Sequence, residues 1–295
     1  MIIYTESNQE IGSDLLSAIL RHDLVPIPIS LELTCRFTND LSGMLQVGKV
    51  VTLANGINFV IVKSQAINNQ IIKDGKRTGA IAIIAVLQGC ENLVNVTNKA
   101  VINDNVGFGE IYRSLGGRLR FDNDVKVNQF ICLKGQMPTS RIALSLQKEG
   151  AVIWYDVYNK TMNVKRLQDL FKGDASVYDP SGVQWLDSSQ SSTLYNTNYL
   201  SLDETSQVVG QVGESKNIDY MPRTDNRELQ NMKRILITKG VIIRSIDDKL
   251  SAGSLLSINE QKYVVLTHAM RFDTGSMGGG AIMASKAWIA QIVEN

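Results

Sequence analysis

The chain has 295 residues, beyond the roughly 100–200 residues of one typical domain, so at least two domains are expected. Apolar residues make up 44% and charged residues 20%, ordinary globular proportions that exclude a disordered, collagen-like or disulfide-scaffold chain. Lys and Arg total 30 against 29 Asp and Glu, so the molecule has no overall positive field with which to hold nucleic acid or an anionic membrane.

The three cysteines, Cys35, Cys90 and Cys132, are isolated within apolar runs, which suits buried thiols in a reducing compartment. Met1–Glu6 lacks the basic start and apolar stretch of a signal peptide, and no window approaches the ~20 apolar residues of a membrane span. A protein made in a cytoplasm, without stable membrane insertion, is the expectation.

In chain order, Ile11, Leu15, Leu16, Ile19 and Leu20 recur at spacings of three and four and predict a short helix over 11–21, the main element of an N-terminal helical segment over 1–25. Pro26 and Pro28 end it. Ile29, Leu31, Leu33, Cys35 and Phe37 then alternate with polar residues, predicting a half-buried antiparallel strand. Lys49–Leu53 and Phe59–Val62 flank Asn55-Gly56, a hairpin signal, and Ala80–Leu87 predicts a further strand.

The middle third changes character. Val106–Leu115 reads as a helix capped by Asn103, Asp104 or Asn105 and ended by Gly116-Gly117. Pro138 opens a second helix that stops at Gly150, after which Ala151–Tyr155, a turn at Asn159-Lys160 and Met162–Val164 return to strand. Gly173–Tyr199 and Gly210–Asn226 are rich in Ser, Asn, Asp, Thr and Gly and predict surface connections. β-rich runs resume at Ile235–Ile243 and Leu255–Leu266.

Two segments about 205 residues apart read alike. Leu45, Gly48, Val50–Leu53 and Phe59–Val62 are matched by Leu250, Gly253, Leu255–Ile258 and Tyr263–Leu266. The pattern is either a generic way into a hairpin or a duplicated small β-domain.

Catalytic constellations are sparse. His22, at the end of the first predicted helix, and His268, on or just after a strand, show no metal-ligand spacing; His22 reads as a dipole partner. Gly107-Phe108-Gly109 has Tyr112 where a dinucleotide fingerprint needs glycine, and Gly275–Gly280 lacks the Lys-Ser or Lys-Thr of a phosphate loop. Acid pairs such as Asp247-Asp248 or Asp203-Glu204 could in principle serve a glycoside-cleaving enzyme, the alternative of a different class, but adjacent acids on a turn are usually solvated and the two acids of such an enzyme need only meet in space. Trp154, Tyr155, Trp185 and Trp288 read as core or interface anchors. No catalytic, cofactor-binding or metal-binding residue is assigned.

Leu24–Leu33, the hairpin phrase around Gly48, Phe108–Gly116, Leu133–Ile142, Gln147–Trp154 and Leu250–Thr274 resemble the baseplate hub proteins of contractile-tailed phages, which are related to the hub part of secretion-system spike proteins. The resemblance implies a β-rich α+β fold: two similar tube-type antiparallel β-barrel domains, over about 26–97 and 200–295, with an α+β domain and polar connection over 98–199 between them. It implies a non-enzymatic homotrimer in the virion tail baseplate, assembled in the bacterial host cytoplasm. Three chains would supply six equivalent surfaces to a sixfold tail tube. The implied partners are the tail tube protein, a central spike protein and other baseplate proteins, with phage DNA passing through the lumen without sequence-specific binding. A tail-tip protein of a non-contractile tail and a secretion-system spike component are alternatives of the same class.

Overall fold

The structure, a computed structural model, describes residues 1–73, 76–186, 197–203, 205–210, 217–275 and 280–294, with the side chains of 68–73, 76–78 and 294 left aside. The first unit consists of β1 (Ile3–Thr5), β2 (Leu15–Asp23), β3 (Ile29–Arg36), α1 (Asn39–Met44), β4 (Val50–Leu53), β5 (Asn58–Lys73) and β6 (Lys76–Leu87), paired in the order β1-β4-β5-β6-β3-β2. β3 follows its alternation: Ile29, Leu31, Leu33 and Cys35 are buried while Glu32 and Arg36 face water. Gly56, at φ 76°, turns β4 into β5.

The helix expected over 11–21, the main element of the helical segment over 1–25, is instead one 3-10 turn at Gly12–Asp14 followed by strand β2. β2 pairs with β3 and buries Leu16, Ala18, Leu20 and His22 on one face. The leucines fit both a helical and an alternating period; small Ala18 and polar His22, which complete the alternating set, do not register as apolar. Pairing partners on both sides override the local helix preference.

The middle of the chain holds β7 (Val101–Gly107), α2 (Phe108–Ser114), β8 (Phe121–Asn123), β9 (Lys126–Cys132), α3 (Pro138–Lys148), β10 (Ala151–Asp156), β11 (Thr161–Arg166) and α4 (Leu167–Leu170). β10-β11-β8 form one small sheet and β7-β9 another. The predicted caps Asn103, Asp104 and Asn105 lie inside β7 instead. The α2 amides of Phe108 and Gly109 donate to the Asp124 carboxylate at 2.8 and 2.9 Å, so a long-range acid does what a local cap was expected to do. α3 starts on Pro138 and is followed by Gly150 at φ 55°.

The expected surface connection from Gly173 is partly ordered into sheet. β12 (Ser176–Val177) pairs parallel with β18 (Leu255–Ile258), and β13 (Val183–Trp185) pairs antiparallel with β17 (Arg234–Ser245). Its part over 187–196, residues 211–216 of the second polar stretch, Glu204, and 276–279 of the glycine-rich loop lie outside the described residues. β14 (Thr197–Leu202), β15 (Val208–Gly210) and β16 (Asn217–Tyr220) make a small sheet beside α5 (Asn226–Met232); β17, β18, β19 (Gln261–Asp273) and β20 (Ile282–Glu294) complete the second unit.

The duplication is present in the topology. β4-β5-β6-β3-β2 in the first unit corresponds strand for strand to β18-β19-β20-β17-β13 in the second. Gly48 (φ 88°) donates to Ile61 O at 2.8 Å and Gly253 (φ 87°) to Val265 O at 2.9 Å. The register of β5 on β6 shifts between Ile61 and Lys63, and that of β19 on β20 between Val265 and Thr267. Two hairpins that merely began alike would not share hydrogen bonds and a bulge at matching positions. Among the described residues the two units belong to one 12-stranded sheet, joined where β2 pairs β19. In the second unit, end strands β13 and β18 bury Val183, Leu256 and Ile258 in one cluster with Tyr263 and Ile289, so this half of the sheet curls on itself.

Candidate assembly interface

The strands that join the units are the chain's own example of how one unit meets the next. β2 runs antiparallel to the outer half of β19, from Asp23 opposite Thr267 to Ser17 opposite Asp273. Thr267 Oγ1 donates to the Asp23 carboxylate, which also takes Arg21 Nε at 2.7 Å. His22 and His268 stand directly opposite each other with ring centroids 6.3 Å apart, both buried. Sequence reasoning placed His22 at a helix end and saw no link to His268; the pairing of two strands so distant in sequence brings them together.

His22 Nδ1 lies 2.9 Å from Ser251 Oγ, while among the described residues His22 Nε2 and both His268 nitrogens have no hydrogen-bond partner of good geometry. Burial, then the His268 charge, lowers the His22 pKa from 6.5 to about 4. Burial lowers His268 as well, against the favourable pull of Asp247 and the Leu250 carbonyl. Both rings are neutral at pH 7, held by packing. Among the described residues no group of three or more His, Cys, Asp or Glu is placed to hold a metal ion.

A cavity of about 520 Å³ beside this junction is lined by His22, Trp154, Tyr158, Ser251 and Gly253. A larger one, about 840 Å³, lies between α3, α5 and the small sheet, and contains Lys148, Asp203, Asp225 and Glu228. Its acids already have structural roles. Asp225 and Glu228 cap α5 reciprocally, as such pairs do. Asp203 accepts the amides of Thr205 and Gln207. Burial raises the Glu228 carboxyl and lowers the Lys148 ammonium, which sit 3.8 Å apart. Outside this cavity, Asp247 is held by Arg244 at 3.1 Å. At the C-terminal end of α3 the buried Glu149 carboxylate receives Arg166 of β11 at 2.7 Å and both terminal guanidinium nitrogens of Arg227 at 2.7 and 2.8 Å, tying α5 to the middle domain in bidentate geometry.

The other sequence candidates divide between core and surface. Cys35, Cys90 and Cys132 are buried free thiols, and burial pushes Cys35 up to about 12. Gly107 and Gly109 close on Asp124, so the α2 N-terminus faces the protein's own carboxylate. Tyr112 is buried and donates to Pro26 O at 2.6 Å. Trp154 packs on Gly253, Trp288 is half-buried beneath Lys286, and Trp185 is 47% exposed at the edge strand β13, its ring 5.6 Å from Tyr263. No described helix is long and apolar enough to cross a membrane.

No protein-family model matches the sequence, and no curated protein matches it significantly. Solved structures do. A tail protein from Neisseria meningitidis MC58 superposes with a TM-score of 0.60 at 7% identity, over 98% of this chain and 95% of that one. The prophage MuSo2 43 kDa tail protein from Shewanella oneidensis gives 0.60 at 9% identity, over 98% and 97%. A chain of the Francisella PdpA–VgrG complex gives 0.53 at 9% identity, with 98% of this chain covering 57% of that one. From end to end, the chain has the β-rich α+β fold of solved phage tail proteins.

Proposed function

We propose that the chain is a non-enzymatic structural subunit of a phage tail hub: a homotrimer whose three chains present six similar tube-type β-barrel units to a sixfold tail tube and, on the other face, a threefold seat for a spike. The observation that carries this reading is the strand-for-strand duplication within one chain, together with end-to-end likeness to tail proteins. A ring closes when every unit offers its neighbour an equivalent surface, and duplication lets a threefold object offer six. The first unit centres on 26–97 and the second on 200–295, with β2 and β13 as their added edge strands and the α+β domain outside the ring. Tube, spike and other baseplate proteins are the partners, DNA passes through the lumen, and the virion tail baseplate is the place of action. Likeness to the Francisella complex favours, as a second reading, the equivalent part of a secretion-system spike.

Light scattering coupled to size exclusion tests the reading. A stable species of three times 32.6 kDa is expected. A strict monomer at every concentration, alone and with tube and spike proteins added, contradicts it.

A further inference from the structure

The duplication also says where one chain should meet the next. The outer half of β19 is covered by β2. Its counterpart in the first unit is the outer half of β5, beyond Ile61. There β5 pairs with β6 alone among the described residues, because β4 ends its pairing opposite Asn58–Val60. The first unit therefore carries an open strand edge where the second carries a filled one, and Gln65, Ala66 and Ile67 on it are exposed. The counterpart of β2 is β13, which flanks β17 as β2 flanks β3. Its far edge is likewise unpaired among the described residues, and Trp185 and Leu186 beside it are 47% and 45% exposed. Among the described residues, the repeat thus leaves one unfilled acceptor edge and one unused donor edge in each chain. Open edges that carry apolar side chains are the kind of surface proteins cover by pairing.

Resting on the ring reading above, we propose that β13 of one chain adds antiparallel to the outer edge of β5 of a second copy, repeating between chains the β2–β19 contact made within each. Quasi-equivalence also sets the register. Leu20 and Arg21 stand opposite Met270 and Ala269; transferring these pairs through the repeat places Trp185 opposite Ala66 and Leu186 opposite Gln65 of the partner.

The test mixes two single variants, Gln65→Cys and Leu186→Cys, under mild oxidation; the native cysteines are buried. Directly opposed antiparallel residues lie close enough for a disulfide, so the mixture should give a disulfide-linked dimer on non-reducing gels, several-fold above either variant alone. Ser64→Cys mixed with Leu186→Cys should not, since a one-residue step turns the side chain to the other face. Both sites are exposed, and circular dichroism of each variant before mixing confirms its fold. Trimers by light scattering with no Gln65→Cys/Leu186→Cys product overturn this contact and leave the ring standing. Monomers by light scattering at every concentration, alone and with tube and spike proteins added, overturn both.

Discussion

The two units share a topology but not an environment, and the difference separates what a repeat needs from what its setting adds. Gly48 and Gly253 have nearly the same positive φ. A Cβ at Gly48 would meet nothing, whereas one at Gly253 would meet the Trp154 ring at 3.0 Å. Phe59 and Tyr263 occupy matching positions, but Phe59 lies in a cluster that runs from Ile3 through the middle domain to Val164 and reaches the second unit at Met270. Tyr263 belongs to a small cluster confined to the second unit. The first unit is fused to the body of the protein in one large core; the second joins it through β2–β19, Trp154, the Glu149 ion cluster and a smaller apolar cluster of Val152, Leu167 and Leu170 with Leu255, Val264 and Ala290.

The largest expected effect breaks this contrast at its centre. Phe59→Ala should cost about 4 kcal/mol and Tyr263→Ala about 2 kcal/mol, because a cavity in a large, enclosed core relaxes less than one near the surface. Urea titration of both variants checks the order, and equal losses would mean that the units are packed alike.

Acid should act on the seam between the units. The His22 pKa is depressed on folding, so the unfolded chain binds the extra proton between pH 6.5 and about 4. Stability from this group is fully present above pH 6.5 and is lost as pH falls toward 4, by about 3 kcal/mol in all; His268, shifted the same way, adds to the loss. Thermal melts of the wild type should decline through this window, while His22→Asn should show a shallower decline. The position matching His268 in the first unit is Ser64, so a contact built on the β5 edge should lack this acid sensitivity. The solution mass by light scattering across the same pH range, set beside the melts, compares the two seams.

The smallest effect isolates the glycines. Gly48→Ala should cost about 1 kcal/mol for its left-handed backbone, and Gly253→Ala should add roughly 1 kcal/mol because Trp154 must move. A melt series on both variants, repeated with Trp154→Leu, should bring the two losses together.

Much of this was legible in the sequence wherever local chemistry fixes local structure. β3 shows its alternation, α3 is bracketed by Pro138 and Gly150, and the repeat is visible because each copy needs a glycine at the same turn. What escaped depends on distant partners. β2 looked helical because its strand character comes from β3 and β19; the α2 cap was assigned to neighbours because Asp124 follows the helix; β13 was hidden in a polar stretch whose short strand gains its order from β17. The histidine pair had no signal, since neither ring belongs to a motif and only strand register brings them face to face.

The most direct test of the central claim is electron microscopy of the purified oligomer viewed down its axis. Six similar densities around one lumen, with threefold features only outside the ring, are predicted from three chains of paired units. A ring with three densities, or particles without a lumen, would contradict it.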